Sequence, residues 1–244
     1  MVHIEFMGVP GVGKTTLAER LAEGLREQGG NVAFLPMDDV ADLSRWGDRA
    51  RHLSGIARYA LAMPQQTWRS AKVARAFPQP TWATAVKTLG YWLATHRLAH
   101  EYAQRAEVVV LDQGYFQGIY SWALQSTALD EASLSGALKL IPIPDIVVVV
   151  TAPVAVIRAR LEHRAHTHKM VDRLLRDHRA LEKSADLVAR IEQAGREAGC
   201  TIVRYEGAAG TSVHDSAARL LEALRYRCVN RAMSTEALSG SAAQ

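Results

Sequence analysis

Nine consecutive residues carry the most chemistry per position: Gly8-Val9-Pro10-Gly11-Val12-Gly13-Lys14-Thr15-Thr16. Their spacing is G-x-x-x-x-G-K-[ST]. Glycines at Gly8, Gly11 and Gly13 let backbone N–H groups turn inward around phosphate oxygens. Pro10, Val12 and Thr16 complete the loop that would hold them. Lys14 can reach the outer phosphates of a nucleoside triphosphate, and the Thr15 hydroxyl is a hard oxygen ligand for Mg²⁺. Asp112 follows the apolar run Val108-Val109-Val110-Leu111. A carboxylate there could share the metal with Thr15. Asp38 and Asp39 close another apolar run. Either could take a proton from an attacking hydroxyl, and either could cap a helix. Arg160 and Arg164 are i,i+4 neighbours able to offset charge on a transferring phosphoryl group. Arg158 reads more readily as part of a solvated basic face.

These groups need elements to position them. Val2 to Met7 alternates as a strand, and Leu17, Leu21 and Leu25 share one face of a helix that Gly29-Gly30 ends. Further strands are expected at residues 31–37, 107–111, 145–150 and 201–205. The valine run at 145–150 reads as a central strand buried on both faces. Helices are expected through Ser121 and Leu124, from Pro153 through Leu161, over 172–198 with Gly199 just past its end, and over 212–225. Strands alternating with helices give a parallel sheet covered on both sides, with ligands at the carboxyl ends of its strands. The loop, Asp38, Asp39, Asp112 and the segment after Val150 all fall at such ends. The fold class is therefore α/β, a three-layer P-loop NTPase fold with a five-stranded parallel sheet, a helical insert and a lid.

The insert, residues 41–106, lacks β-branched runs, and Pro64, Pro78 and Pro80 divide it into about three helices. Trp82, Val86, Leu89 and Leu93 form one stripe at helical spacing. Trp46, Trp68, Trp82 and Trp92 are expected mostly to pack its core, with one free to stack on a planar substrate. His96 with His100, and His163 with His166 and His168, have ligand-like spacing. No carboxylate or cysteine completes either set, so neither is expected to hold a metal. Residues 1–40 and 107–229 are read as the core, with the lid at about 158–172. Residues 230–244, rich in Ala, Ser and Gly, are read as a disordered tail.

Composition bounds the function classes. The 244 residues are 48% hydrophobic and 22% charged, ordinary globular values. The net charge of +4 is spread along the chain, which argues against a nucleic-acid partner. Cys200 and Cys228 form no framework, so a reducing compartment is expected. The longest apolar run, 141–152, is too short to span a membrane, and no secretory leader fits the first strand. The expectation is a cytoplasmic protein.

Taken together these residues resemble the P-loop nucleoside and nucleotide kinases, the thymidylate kinase-like group in particular, over about residues 2–225. The loop is similar to the G-x-P-G-x-G-K-[ST] form of adenylate kinases. His96-Arg97-Leu98-Ala99-His100 is similar to a D-R-x-x-H segment whose arginine contacts substrate phosphate, with His96 in the aspartate's place. Val108 to Gly114 resembles a strand ending in Asp-Arg-Tyr, with Gln113 in the arginine's place. Arg160 to His166 resembles the lid pattern R-[IL]-x-x-R-x-R, and residues 206–215 stand where the family cradles adenine. The resemblance implies ATP and Mg²⁺ as cofactors, Arg97, Gln113 and Trp92 toward a small-molecule acceptor, and a homodimer. Gln113 cannot replace a bidentate arginine, which argues against an ordinary thymidylate kinase and leaves a nucleoside, sugar or specialised metabolite as acceptor. The alternative is a P-loop ATPase or nucleotide-binding protein working in an assembly. A GTPase would carry Asn-Lys-x-Asp, and the chain has none.

Overall fold

The computed structural model describes residues 1–36, 46–163, 178–207, 218 and 220–222. Five strands form one all-parallel sheet: β1 (Val2–Met7), β2 (Val32–Leu35), β3 (Val108–Leu111), β4 (Ile146–Thr151) and β5 (Ile202–Glu206). Their order is β2-β3-β1-β4-β5. The helices are α1 (Lys14–Glu27), α2 (Trp46–Ala62), α3 (Pro64–Ala76), α4 (Trp82–Ala103), α5 (Tyr115–Gln125), α6 (Glu131–Leu138), α7 (Val154–His163) and α8 (His178–Glu197). Each strand from β1 to β4 is joined to the next through one or more helices, which is what parallel pairing requires.

Registers explain the core. His3 pairs with Val109 and Glu5 with Leu111, while Glu5 also pairs with Val147 on the other side. Ile146 to Val150 is buried along its whole length, as a valine run between β1 and β5 should be. Val109 and Leu111 pack with Leu35 and with Ala99 of α4. Gly29 and Gly199 follow α1 and α8 at φ +84° and +85°, the left-handed turn that releases the chain from a helix.

Three helices do occupy residues 46–103, divided where Pro64, Pro78 and Pro80 stand. Their tryptophans are a correction. Trp92 is buried, but Trp82 is 79% and Trp68 63% exposed, and Val86 is exposed as well. The apolar stripe of α4 is covered only from about Leu89 onward. The buried residues of that helix are Trp92 to His96 and Ala99, where it meets β2, β3 and α5. Its first two turns meet no comparable layer among the described residues, so a correct helical period there does not imply burial. Asp38, Asp39, Arg164, His166, His168, the end of the lid, most of the 206–215 loop and the tail lie outside the described residues, as does the side chain of Trp46. Among the described residues no helix is long and apolar enough to cross a membrane.

Candidate nucleotide site

The loop between β1 and α1 is built by close approaches. A Cβ on Gly8 would lie 2.4 Å from the Val150 carbonyl oxygen, so only glycine passes β4 at that point. Gly11 and Gly13 have φ of +86° and +102°, which other residues adopt at a cost. Val9 and Val12 are buried and pin the loop from beneath. Lys14 folds back along it, donating from Nζ to the Gly8 carbonyl at 2.8 Å and the Val9 carbonyl at 3.2 Å.

β3 lies beside β1, and this brings Asp112 to the loop. The Thr15 hydroxyl donates to Asp112 Oδ2 at 2.9 Å, and the carboxylate is almost wholly buried. On the opposite side, α7 leaves β4 and crosses the loop. Leu161 would touch a Cβ on Gly11, and Arg160 donates from a terminal nitrogen to the Val12 carbonyl at 2.7 Å. Thus Gly8, Gly11, Gly13, Lys14, Thr15, Asp112 and Arg160 come together. The inward-turned backbone suits a polyphosphate, and the paired hydroxyl and carboxylate oxygens suit Mg²⁺.

Two residues that sequence reasoning missed complete the arrangement. Gln117 of α5 accepts the Gly8 N–H through Oε1 at 3.0 Å, tying α5 to the first residue of the loop. Glu5 lies fully buried in the middle of β1 and accepts the Phe116 N–H at 3.1 Å, capping α5 from another element. A Cβ on Gly114 would strike the Glu5 side chain at 2.2 Å, so Gly114 is glycine to let that carboxylate in. Burial pushes the Glu5 carboxyl up to about 7, against the lowering effect of the Tyr115 and Phe116 N–H groups. The available signal was a lone acid in an otherwise apolar central strand.

A narrow crevice of about 30 Å³ lies between α4 and α5 and starts at Gln113, the residue after Asp112. Gln113, Gly114, Gln117 and Ser121 line one wall, and Thr88, Tyr91, Trp92 and Thr95 the other. Gln113 and Trp92 therefore line one crevice. Arg97 is not among the residues lining the crevice: it pairs with Glu101 at 2.7 Å and packs against Gly55 of α2. A separate pocket of about 270 Å³ lies beneath α2 to α4 near the amino ends of the strands, with Met1 and Pro142 also in its lining. His3, His96 and Tyr115 line it, with the His96 and Tyr115 rings 4.4 Å apart. Burial lowers His3 to about 4 and His96 to about 3, so both imidazoles are neutral at pH 7. His96 and His100 both line this pocket, the first buried in it and the second exposed at its edge beside Gln104.

A family model described as "AAA domain" matches residues 4–187, well over half of the chain. The chain belongs to the AAA domain family. Within this AAA domain the phosphate-type loop, Asp112 and Arg160 all fall inside the matched span. No curated protein matches the chain. Among solved structures it is similar to shikimate kinase from Acinetobacter baumannii in complex with shikimate, at 18% identity, 93% and 94% coverage of the two chains and a TM-score of 0.47. It is also similar to thymidylate kinase from Ehrlichia chaffeensis, at 13% identity, 91% and 98% coverage and a TM-score of 0.49.

Proposed function

We propose that this protein is an ATP- and Mg²⁺-dependent phosphotransferase acting on the hydroxyl of a small molecule. The observation that supports it most is the Thr15–Asp112 pair at 2.9 Å beside a glycine loop, with a crevice lined from the next residue, Gln113. A nucleotide switch needs no second cleft at that point. In this reading the loop amides and Lys14 hold the β- and γ-phosphates, and Thr15 and Asp112 hold Mg²⁺, which supplies charge neutralisation to the phosphates. Arg160, and with it Arg164, offsets charge on the transferring group. The acceptor lies toward Gln113 and Trp92, with residues 41–106 acting as the insert that selects it. Its oxygen forms a bond to the γ-phosphorus while the bond from that phosphorus to the β,γ-bridging oxygen breaks and ADP leaves. The hydroxyl proton passes to Asp38 or Asp39, which follow β2 in the sequence.

The test is acceptor-dependent ADP release by the full-length protein. Lys14→Ala should lower kcat about 10²- to 10³-fold while leaving the near-ultraviolet circular dichroism unchanged. Asp112→Asn should shift the Mg²⁺ titration to higher concentration. Parental turnover in Lys14→Ala would remove the catalytic assignment. ADP release that is indifferent to every acceptor would favour the other reading, an ATPase working in an assembly.

A further inference from the structure

We propose that the outer face of the helical insert docks on a membrane surface rich in anionic lipid. The proposal is independent of the phosphotransferase reading and needs no nucleotide. It starts from the distribution of charge. The net charge of +4 looks even over the whole chain, but residues 53–100 hold six Lys and Arg and no acid, so the rest of the chain sums to −2. Arg97 of that group is turned to Glu101. Arg58, Arg69, Lys72, Arg75 and Lys87 are exposed, and among the described residues none of them forms an ion pair. Such a face is complementary to a partner with dense negative charge.

The helix α3 arranges three of these cations. Ser70, Val73 and Phe77 turn inward, and the Ser70 hydroxyl accepts the Trp92 indole N–H. Trp68, Lys72 and Arg75 stand at i, i+4 and i+7, so they make one outward row, with Arg69 beside it. Tryptophan is a mostly buried residue type, yet Trp68 is exposed here, and the Lys72 ammonium lies 5.5 Å from its ring centroid. Just before α3, Leu61 near the end of α2 is 84% exposed. Just after it, α4 opens with Trp82, Val86 and Lys87, all exposed. The aliphatic side chains decide which polyanion fits. A nucleic-acid backbone offers nothing apolar to Leu61 or Val86. A lipid surface takes aliphatic groups below its headgroups, indoles at headgroup level, and Lys and Arg against its anionic headgroups.

Co-sedimentation with lipid vesicles tests the proposal, using the full-length protein without nucleotide. The vesicles are phosphatidylcholine alone, or the same lipid with about 30% phosphatidylserine, at about 0.1 M salt. Partition onto the anionic vesicles should be stronger by about tenfold or more, and rising salt should release the protein. Arg69→Gln, Lys72→Gln and Arg75→Gln together should weaken that partition about tenfold or more. Arg20→Gln, Lys139→Gln and Arg190→Gln together remove the same charge from other parts of the molecule and should leave it within about twofold. Tryptophan emission should shift to the blue on binding, and by less in Trp68→Phe. Lys72→Glu alone carries the same test should the first triple variant lose its fold. No preference for anionic vesicles overturns the proposal. Equal losses in the two triple variants also overturn it, since net charge and not this face would then be acting. Tighter binding to a single-stranded oligonucleotide than to the anionic vesicles, lost in the first triple variant, overturns it in favour of nucleic acid.

Discussion

At the residue scale, the unusual investment is the buried polar group formed by His3, Glu5, His96 and Tyr115. His3 Nε2 lies 3.3 Å from Glu5 Oε1, and His96 Nδ1 lies 3.2 Å from Gln66 Nε2. Among the described residues His3 Nε2, Glu5 Oε1 and His96 Nε2 make no hydrogen bond. The two imidazoles are held near 4 and 3 by burial, against an ordinary value of 6.5. They stay neutral when folded, whereas the unfolded chain takes up protons below about 6.5. Stability is therefore complete above that pH and lost as pH falls toward 4. Glu5 acts with the opposite sign. Its carboxyl sits near 7 instead of 4.5, so the folded state keeps its proton longer, and stability is lost as pH rises from 4.5 through 7. Urea unfolding at pH 4.5, 5, 6.5 and 8 should show a shallower acid limb in His96→Phe, and a smaller fall between pH 5 and 8 in Glu5→Gln. Slopes parallel to the parent in both variants would exclude this cluster as the source.

At the element scale, the packing of α4 against α5 shapes the crevice. The Trp92 ring lies against Tyr115, His96 and Trp122, with centroids 6.2, 5.5 and 5.9 Å away, and its Nε1 donates to the Ser70 hydroxyl of α3 at 3.2 Å. The two helices approach this closely because Gly118 lacks a Cβ. One placed there would lie 2.4 Å from the indole. Gly118→Ala should cost about 1–3 kcal/mol, the usual penalty of overpacking, and shift the tryptophan fluorescence. Gly136 in α6 has nothing within 4 Å of its Cβ position. Gly136→Ala should therefore hold or raise the melting temperature through its better helix propensity. Equal melting temperatures in the two variants would show that the α4–α5 contact can yield.

At the scale of the whole molecule, stability is concentrated in the middle of the sheet. β1 and β4 are each paired on both sides, while β2 and β5 are edges. Phe6, Val147, Val148 and Val149 are 0% exposed, and the phosphate-type loop springs from the first of these two strands and passes the end of the second. A site anchored to the most protected strands keeps its backbone geometry through local opening elsewhere. Hydrogen exchange should find the amides of β1 and β4 opening only with global unfolding, and those of the four-residue β2 exchanging earlier. Peptides from β2 as protected as those from β4 would mean that the sheet opens as one unit.

Some of this was readable from the residues alone, because it is written in local spacing. The glycine loop, its lysine and threonine, the strand before and the helix after lie within a few residues of one another, and backbone sterics set them without help from the rest of the chain. The valine run of β4 and the helices between prolines are local in the same sense. Strand order is not local. That β3 lies against β1, and so puts Asp112 at Thr15, follows from crossovers spanning much of the chain. Gln117 reaches Gly8 across 109 residues and Glu5 reaches Phe116 across 111, so no spacing announces either contact. Periodicity placed Trp82 and Val86 on one stripe with Leu93, but only packing decides how far along a helix a neighbour extends, and here it stops short of both. Arg97 has the right type and position for a phosphate contact, yet the direction of its side chain depends on which helix faces it, and that helix is α2. Types and periods set which elements form. Contacts between distant segments set which side chains meet at the site.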